Sequence, residues 1–128
     1  EHSEVSVSHS FAEDYTFDAG RTQMQALLKN TPAEAYFCGD DVLSIGALSA
    51  IADAGLSVPD DIGIIGLNDM EMARWENINL TTIRQPIADI IDASMEKVTS
   101  ALGDMEQDPE ARLFPCRVIE RGTLRPKR

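Results

Sequence analysis

Aromatic residues are scarce in this chain: four Phe, two Tyr and one Trp make up 5% of 128 residues. There are two histidines, His2 and His9, both near the N-terminus, and two cysteines, Cys38 and Cys116. Neither a GxSxG elbow nor an HExxH pattern occurs, so nucleophilic and zinc-hydrolase chemistry lack their usual base and ligands. The chain is therefore expected not to be an enzyme, and to need no metal or cofactor. The cysteines have no spacing for a zinc site or a redox pair, and each lies in an apolar run. Buried free thiols in a reducing cytoplasm are the expectation. No stretch approaches the ~18 apolar residues of a membrane helix, and EHSEVSVSHS is too polar for a signal peptide.

Positive charge is also short. Eleven Lys and Arg face 22 Asp and Glu, a formal net charge of −11. Such a surface repels a polyphosphate backbone, so any nucleic-acid contact is expected to lie outside this sequence. The basic end, Arg121, Arg125, Lys127 and Arg128, reads as a solvated terminus rather than a phosphate-binding tail.

The composition is otherwise that of an ordinary globular protein, 43% hydrophobic and 26% charged, and the length suits one domain or one lobe of something larger. Val5, Val7 and His9 alternate with polar residues and predict a half-buried strand. Asp18 predicts a helix cap, with Met24, Leu27 and Leu28 on one face as far as Lys29 and a break at Asn30–Pro32. AYFC, Ala35 to Cys38, predicts a strand covered on both faces. Asp41 then caps a helix carrying Val42, Ile45, Leu48 and Ala52, ended by Gly55. IGIIGL, Ile62 to Leu67, predicts a second buried strand, followed by Asn68 and Asp69 and a short helix through Met70, Met72, Ala73 and Trp75. LTTIRQP, Leu80 to Pro86, is an extended crossing segment. It leads into a helix with Ile87, Ile91, Ser94, Val98 and Leu102 on one stripe, ended by Gly103. Leu113 to Ile119 predicts a last, edge strand.

Strand, helix and strand in that order form a parallel βαβ unit, which brings the pairs Asp40–Asp41 and Asn68–Asp69 to the carboxyl ends of neighbouring strands. Ligands of open α/β sheets bind at that rim. Asp41 and Asp69 read first as a cap and a turn former; Asp40 and Asn68, not needed as caps, read as hydrogen-bond partners of a small polar ligand. Phe37, at the end of the first strand, is either core or a wall on which a flat ring stacks, and Tyr15 sits in a loop near the rim. Two adjacent acids also raise a magnesium or phosphoacceptor site. That chemistry needs a third acid at an earlier strand end and a lysine at a later one, and the sequence offers neither.

AYFCGDDVLSIGALSAIADAGLSVPDDIGIIGLND, then LTTIRQP, then RVIERGT, resembles the C-terminal lobe of the lactose and purine repressor (LacI/GalR) family, in order from Asp14 to Thr123. FCGDD is most similar to the purine repressor branch. The resemblance implies an α/β fold, a three-layer parallel-sheet lobe of the type I periplasmic-binding-protein kind, here incomplete. Residues 5–83 and 113–123 would form the C-terminal lobe, with helix 86–103 belonging to the N-terminal lobe. It implies effector contacts at Tyr15, Phe37, Asp40 and Asn68, framework roles for Asp41 and Asp69, and a homodimer interface at Leu43, Ala47, Met72 and Trp75, with burial in the lobe's own core as the equal alternative for those four. The implied partner is a sugar or purine-like effector, with DNA bound only through an N-terminal headpiece not in this sequence. A periplasmic sugar-binding protein of the same fold is the alternative. In relatives an asparagine usually stands at the position of Asp40 and an aspartate at that of Asn68, so acid and amide are exchanged between the two strands.

Overall fold

The chain enters its first helix at Thr16, not at Asp18. Thr16 is extended (φ −127°, ψ 161°) and its hydroxyl accepts from the Ala19 N–H at 3.1 Å, capping helix α1 (Phe17–Leu28). Asp18 falls in the first turn, where its charge faces the positive end of the helix dipole. Met24 is buried and Leu27 and Leu28 pack on the core, the face their spacing predicts. The computed structural model describes residues 5–104 and 108–126.

Four strands form one sheet in the order β1 (Ala35–Phe37), β2 (Gly63–Leu67), β3 (Thr82–Arg84) and β4 (Arg117–Ile119). The first three run parallel, with Tyr36 opposite Ile64 and Leu67 opposite Ile83; β4 closes the far edge antiparallel to β3, with Val118 opposite Ile83. Central β2 is buried through Gly63, Ile64 and Gly66. β1 corrects the expectation of a strand covered on both faces: it is an edge strand, with Ala35 and Phe37 exposed and only Tyr36 half-buried. The strand expected around Val5 to His9 does not form either. Those residues are exposed and irregular and join neither edge of the sheet.

Helix α2 (Asp41–Asp53) connects β1 to β2 and lies against α1. Gly46 makes that approach feasible. A Cβ there would overlap the Phe17 carbonyl oxygen and sit 2.7 Å from Arg21 N, so the two helix backbones touch where a larger residue would hold them apart. The core is Met24, Ala47, Ala50, Ile51, Ile62, Ile64, Ala73 and Leu80. Each fully buried Ile or Leu contributes about 2 kcal/mol.

A 3-10 turn (Glu71–Arg74) follows β2, and Pro86 opens helix α3 (Ile87–Gly103), with boundaries as the sequence predicts. No residue of α3 is buried, and Ile87, Ile91, Met95, Val98 and Leu102 are all exposed. Exposed ion pairs, Lys97 with Glu110 at 3.6 Å and Arg112 with Glu96 at 3.3 Å, tie α3 to the segment before β4. Such pairs hold little.

Candidate functional site

β1, β2 and β3 run parallel, so their carboxyl ends deliver Asp40, Asn68 and Gln85 to one edge of the sheet. Asp40 is the cap of α2, not Asp41. It is extended (φ −161°, ψ 152°), as a cap must be, and its Oδ1 accepts from the Val42 N–H at 2.7 Å. The residue read as free of capping duty therefore carries it. Its second oxygen, Oδ2, accepts from Asn68 Nδ2 at 2.9 Å, and Asn68 Oδ1 accepts from Gln85 Nε2 at 2.7 Å. The structure thus brings the predicted pair, Asp40 and Asn68, into direct contact and adds Gln85.

Asp41, one residue into the helix, turns inward and is fully buried. Its Oδ1 accepts from the Thr82 hydroxyl at 2.6 Å and its Oδ2 from the Met70 N–H at 2.7 Å, joining α2 to β3 and to the turn after β2. Gly66 leaves the room for it, since a Cβ there would overlap Asp41 Oδ1. Burial pushes the Asp41 carboxyl above its ordinary range; the Thr82 and Met70 hydrogen bonds oppose this, and the charges of Asp40 and Asp69 add to it. A carboxylate sealed in this way cannot be reached by a phosphodonor. Among the described residues, no group of three or more His, Cys, Asp or Glu is placed to hold a metal.

Asp69 is clamped between two arginines. Arg121 Nη2 donates to Oδ1 at 2.7 Å and Arg84 Nε to Oδ2 at 2.6 Å, while Arg121 Nη1 also reaches the Leu80 carbonyl at 2.8 Å. Burial raises the Asp69 carboxyl, but the hydrogen bonds and charges of Arg121 and Arg84 together outweigh it and hold the group below the ordinary value. Asn68 and Asp69 both adopt positive φ (101° and 51°), a region that Asn and Asp tolerate better than other non-glycine residues. That backbone bend lifts Asn68 onto the rim and turns Asp69 towards the arginines. Arg125 donates to the Pro59 and Asp60 carbonyls. Two of the four basic residues near the C-terminus therefore serve internal contacts; Lys127 and Arg128, like His2, lie outside the described residues.

Phe37 is 60% exposed and lines a cleft of about 110 Å³ with Ser10, Met24, Leu27, Cys38 and Leu43. Its exposure answers the alternative left open by the sequence: it is not core. Tyr15 is 71% exposed in the loop before α1, outside that cleft. Cys38 is half-buried, and burial pushes its thiol up, against the pull of a Ser44 hydrogen bond. Cys116 is exposed, which corrects the expectation of two buried thiols. Of the residues assigned to a dimer interface, Ala47 is 2% exposed and belongs to the chain's own core, so it is not available to a partner. Leu43 and Met72 are half-buried and Trp75 is exposed. Gln85 and Thr82 were given no role by the sequence, and Arg121, read there as part of a solvated terminus, is half-buried and pairs with Asp69. The one signal for Gln85 was its place just past a third strand end.

Residues 3–124 match the periplasmic binding protein-like domain family. The repressor CytR of Escherichia coli K12 is 37% identical over 113 residues, 88% of this chain and 33% of that protein. A LacI-family transcriptional regulatory protein from Corynebacterium glutamicum shares its fold with a TM-score of 0.69 and 34% identity, over 88% of this chain and 44% of that one. The chain belongs to the LacI family. A LacI-family regulator from Enterococcus faecium, solved with bound ribose, superposes with a TM-score of 0.72 at 27% identity, over 88% of this chain and 42% of its own. The chain spans about a third of the length of the curated relatives it matches. In this chain three parallel strands are followed by one that returns antiparallel along the far edge after α3.

Proposed function

We propose that this chain is the ligand-sensing part of a LacI-type transcriptional regulator, binding a small, uncharged, hydroxyl-rich or purine-like effector at the rim formed by Asp40, Asn68 and Gln85. Phe37, exposed at the end of β1, is assigned as a flat apolar wall of the effector site, and Tyr15, exposed in the loop before α1, as a second aromatic contact. Effector binding alters the DNA affinity of a headpiece outside this sequence, and the chain itself performs no chemistry. The single observation that carries the reading is the convergence of polar side chains from three parallel strand ends on one sheet edge. The ribose held by the Enterococcus faecium regulator supports a sugar as ligand. Repressors among the relatives favour a cytoplasmic regulator over a periplasmic sugar-binding protein. We assign Asp41 and Asp69 to the framework that fixes the rim, and Trp75 with Met72 and Leu43 to a homodimer contact, supported by the exposure of the Trp75 ring.

The test is thermal unfolding of the chain with ribose, other neutral sugars, adenosine and purine bases. A ligand at 100 times its Kd adds about 2.7 kcal/mol to the native state, and Asn68→Ala is expected to weaken the effective ligand by about tenfold, a lost hydrogen bond. If none of these compounds moves the transition, the effector reading fails.

A further inference from the structure

The rim hydrogen bonds form a chain with a direction. A carboxylate only accepts, whereas Asn and Gln each carry a donor end and an acceptor end. Asp40 Oδ1 is committed to the Val42 N–H, so Oδ2 must face a donor, and Asn68 can meet it only with Nδ2. Asn68 Oδ1 then points away, towards Gln85, which can answer only with Nε2. The Gln85 carbonyl, Oε1, is left as the outermost acceptor. Every amide orientation in the row follows from the one member that cannot donate.

We propose that Asp40 sets the direction of this row and thereby makes Gln85 a specificity-determining residue, holding Oε1 towards the ligand as an acceptor. In what concerns the ligand, the inference rests on the function proposed above. Gln85 directly follows β3 and stands one residue before Pro86, so its side chain joins the rim to the start of α3. The electrostatics point the same way. Asp69 is neutralised by two arginines, Asp41 is buried, and among the described residues no cation pairs with Asp40. An acceptor-rich rim with one uncompensated negative charge selects ligands that bring hydroxyl or N–H donors and rejects phosphorylated or carboxylated ones.

Substitutions that redirect the row without breaking it separate this claim from a structural role. In D40N, the new amide still caps α2 through its oxygen, but its nitrogen donates to Asn68 Oδ1. Asn68 and Gln85 then both turn over, and Gln85 presents Nε2 outward with every hydrogen bond retained. In N68D, two carboxylates face each other across 2.9 Å of former hydrogen bond. In D40N/N68D, the amide at 40 and Gln85 Nε2 both donate to the carboxylate at 68, so Gln85 recovers its original direction.

The experiment measures water exchange of the Gln85 side-chain amide by NMR, thermal unfolding, and ribose titration, in the parent chain and these three variants. We expect Gln85 Nε2 protons to exchange markedly faster in D40N and to return to the parent rate in the double variant. N68D alone should lower Tm by about 3 °C, and the double variant should recover it. Ribose affinity should fall at least tenfold in D40N, return in the double variant, and exceed that for ribose 5-phosphate in the parent. Equal exchange rates in the parent and D40N, or a double variant no better than N68D, overturns the inference. If exchange switches as stated while ribose binds none of the four, the direction of the row stands and the sugar reading of the site is what fails.

Discussion

Helices α2 and α3 both carry apolar residues at helical spacing, yet Ala47, Ala50 and Ile51 of α2 are at most 2% exposed while α3 buries nothing. α2 is apolar almost all round and is held at its start by two side chains: Asp40 caps it, and Asp41 ties it to Thr82 and Met70. α3 begins at Pro86 with no side-chain cap and keeps charges opposite its apolar stripe. Periodicity names the face of a helix that wants burial; it does not supply the surface that buries it. The difference lies in what the chain places opposite each one: for α2 a sheet and a neighbouring helix, for α3 a short irregular segment joined by ion pairs.

The contrast breaks most visibly at the α1–α2 contact. Gly46→Leu must push two helix backbones apart and is expected to cost at least about 3 kcal/mol in urea unfolding, enough to unfold much of the protein. Were it as mild as a surface change, the tight packing of the two helices would be wrong. Asp41→Ala comes next, at about 2–4 kcal/mol, because it strands the buried Thr82 hydroxyl and the Met70 N–H together. Restoring a hydroxyl acceptor by other means should recover part of this, and an unchanged urea midpoint would mean that Asp41 joins nothing.

A smaller effect appears in acid. Asp69 has its folded-state carboxyl held low by Arg121 and Arg84, so the stability it contributes is complete above the unfolded carboxylate value of about 3.9 and is lost as pH falls through the lower folded value. Asp41 is raised, and acts with the opposite sign: its penalty is complete above its folded value and is relieved as pH falls through it towards the unfolded one. Asp69→Asn is therefore expected to flatten the loss of stability below pH ~4, measured by denaturant unfolding across pH, and an unchanged acid limb would remove the arginine clamp from the account. The smallest effect belongs to α3. Val98→Asp should leave the unfolding of the sheet and of α1 and α2 within about 0.5 kcal/mol of the parent; a larger loss would show that the apolar stripe is already covered.

Much of this fold was readable in order. The α2 and α3 ranges, β2 and the extended TIR of β3 follow from apolar periodicity, Gly55, Pro86 and Gly103, and the family resemblance rests on those same motifs. The errors share one cause. The strand at Val5 and the two-sided burial of β1 depend on what stands beside a residue, which local pattern does not encode, and for the same reason the sequence left Phe37 open between core and wall and Ala47 between the chain's own core and a partner contact. The candidate site was half legible: strand ends marked Asp40 and Asn68, but Gln85 needed β3 to be seated beside β2.

The sequence by itself determined which stretches are helix or strand, their order, and the placement of polar pairs at strand ends, because these depend on neighbours within a turn or two. Tertiary structure decided the rest. Which of two adjacent aspartates is buried, and which way the rim amides face, depends on atoms brought together from 17 to 41 positions away, Gln85 against Asn68 and Thr82 against Asp41 at the two extremes.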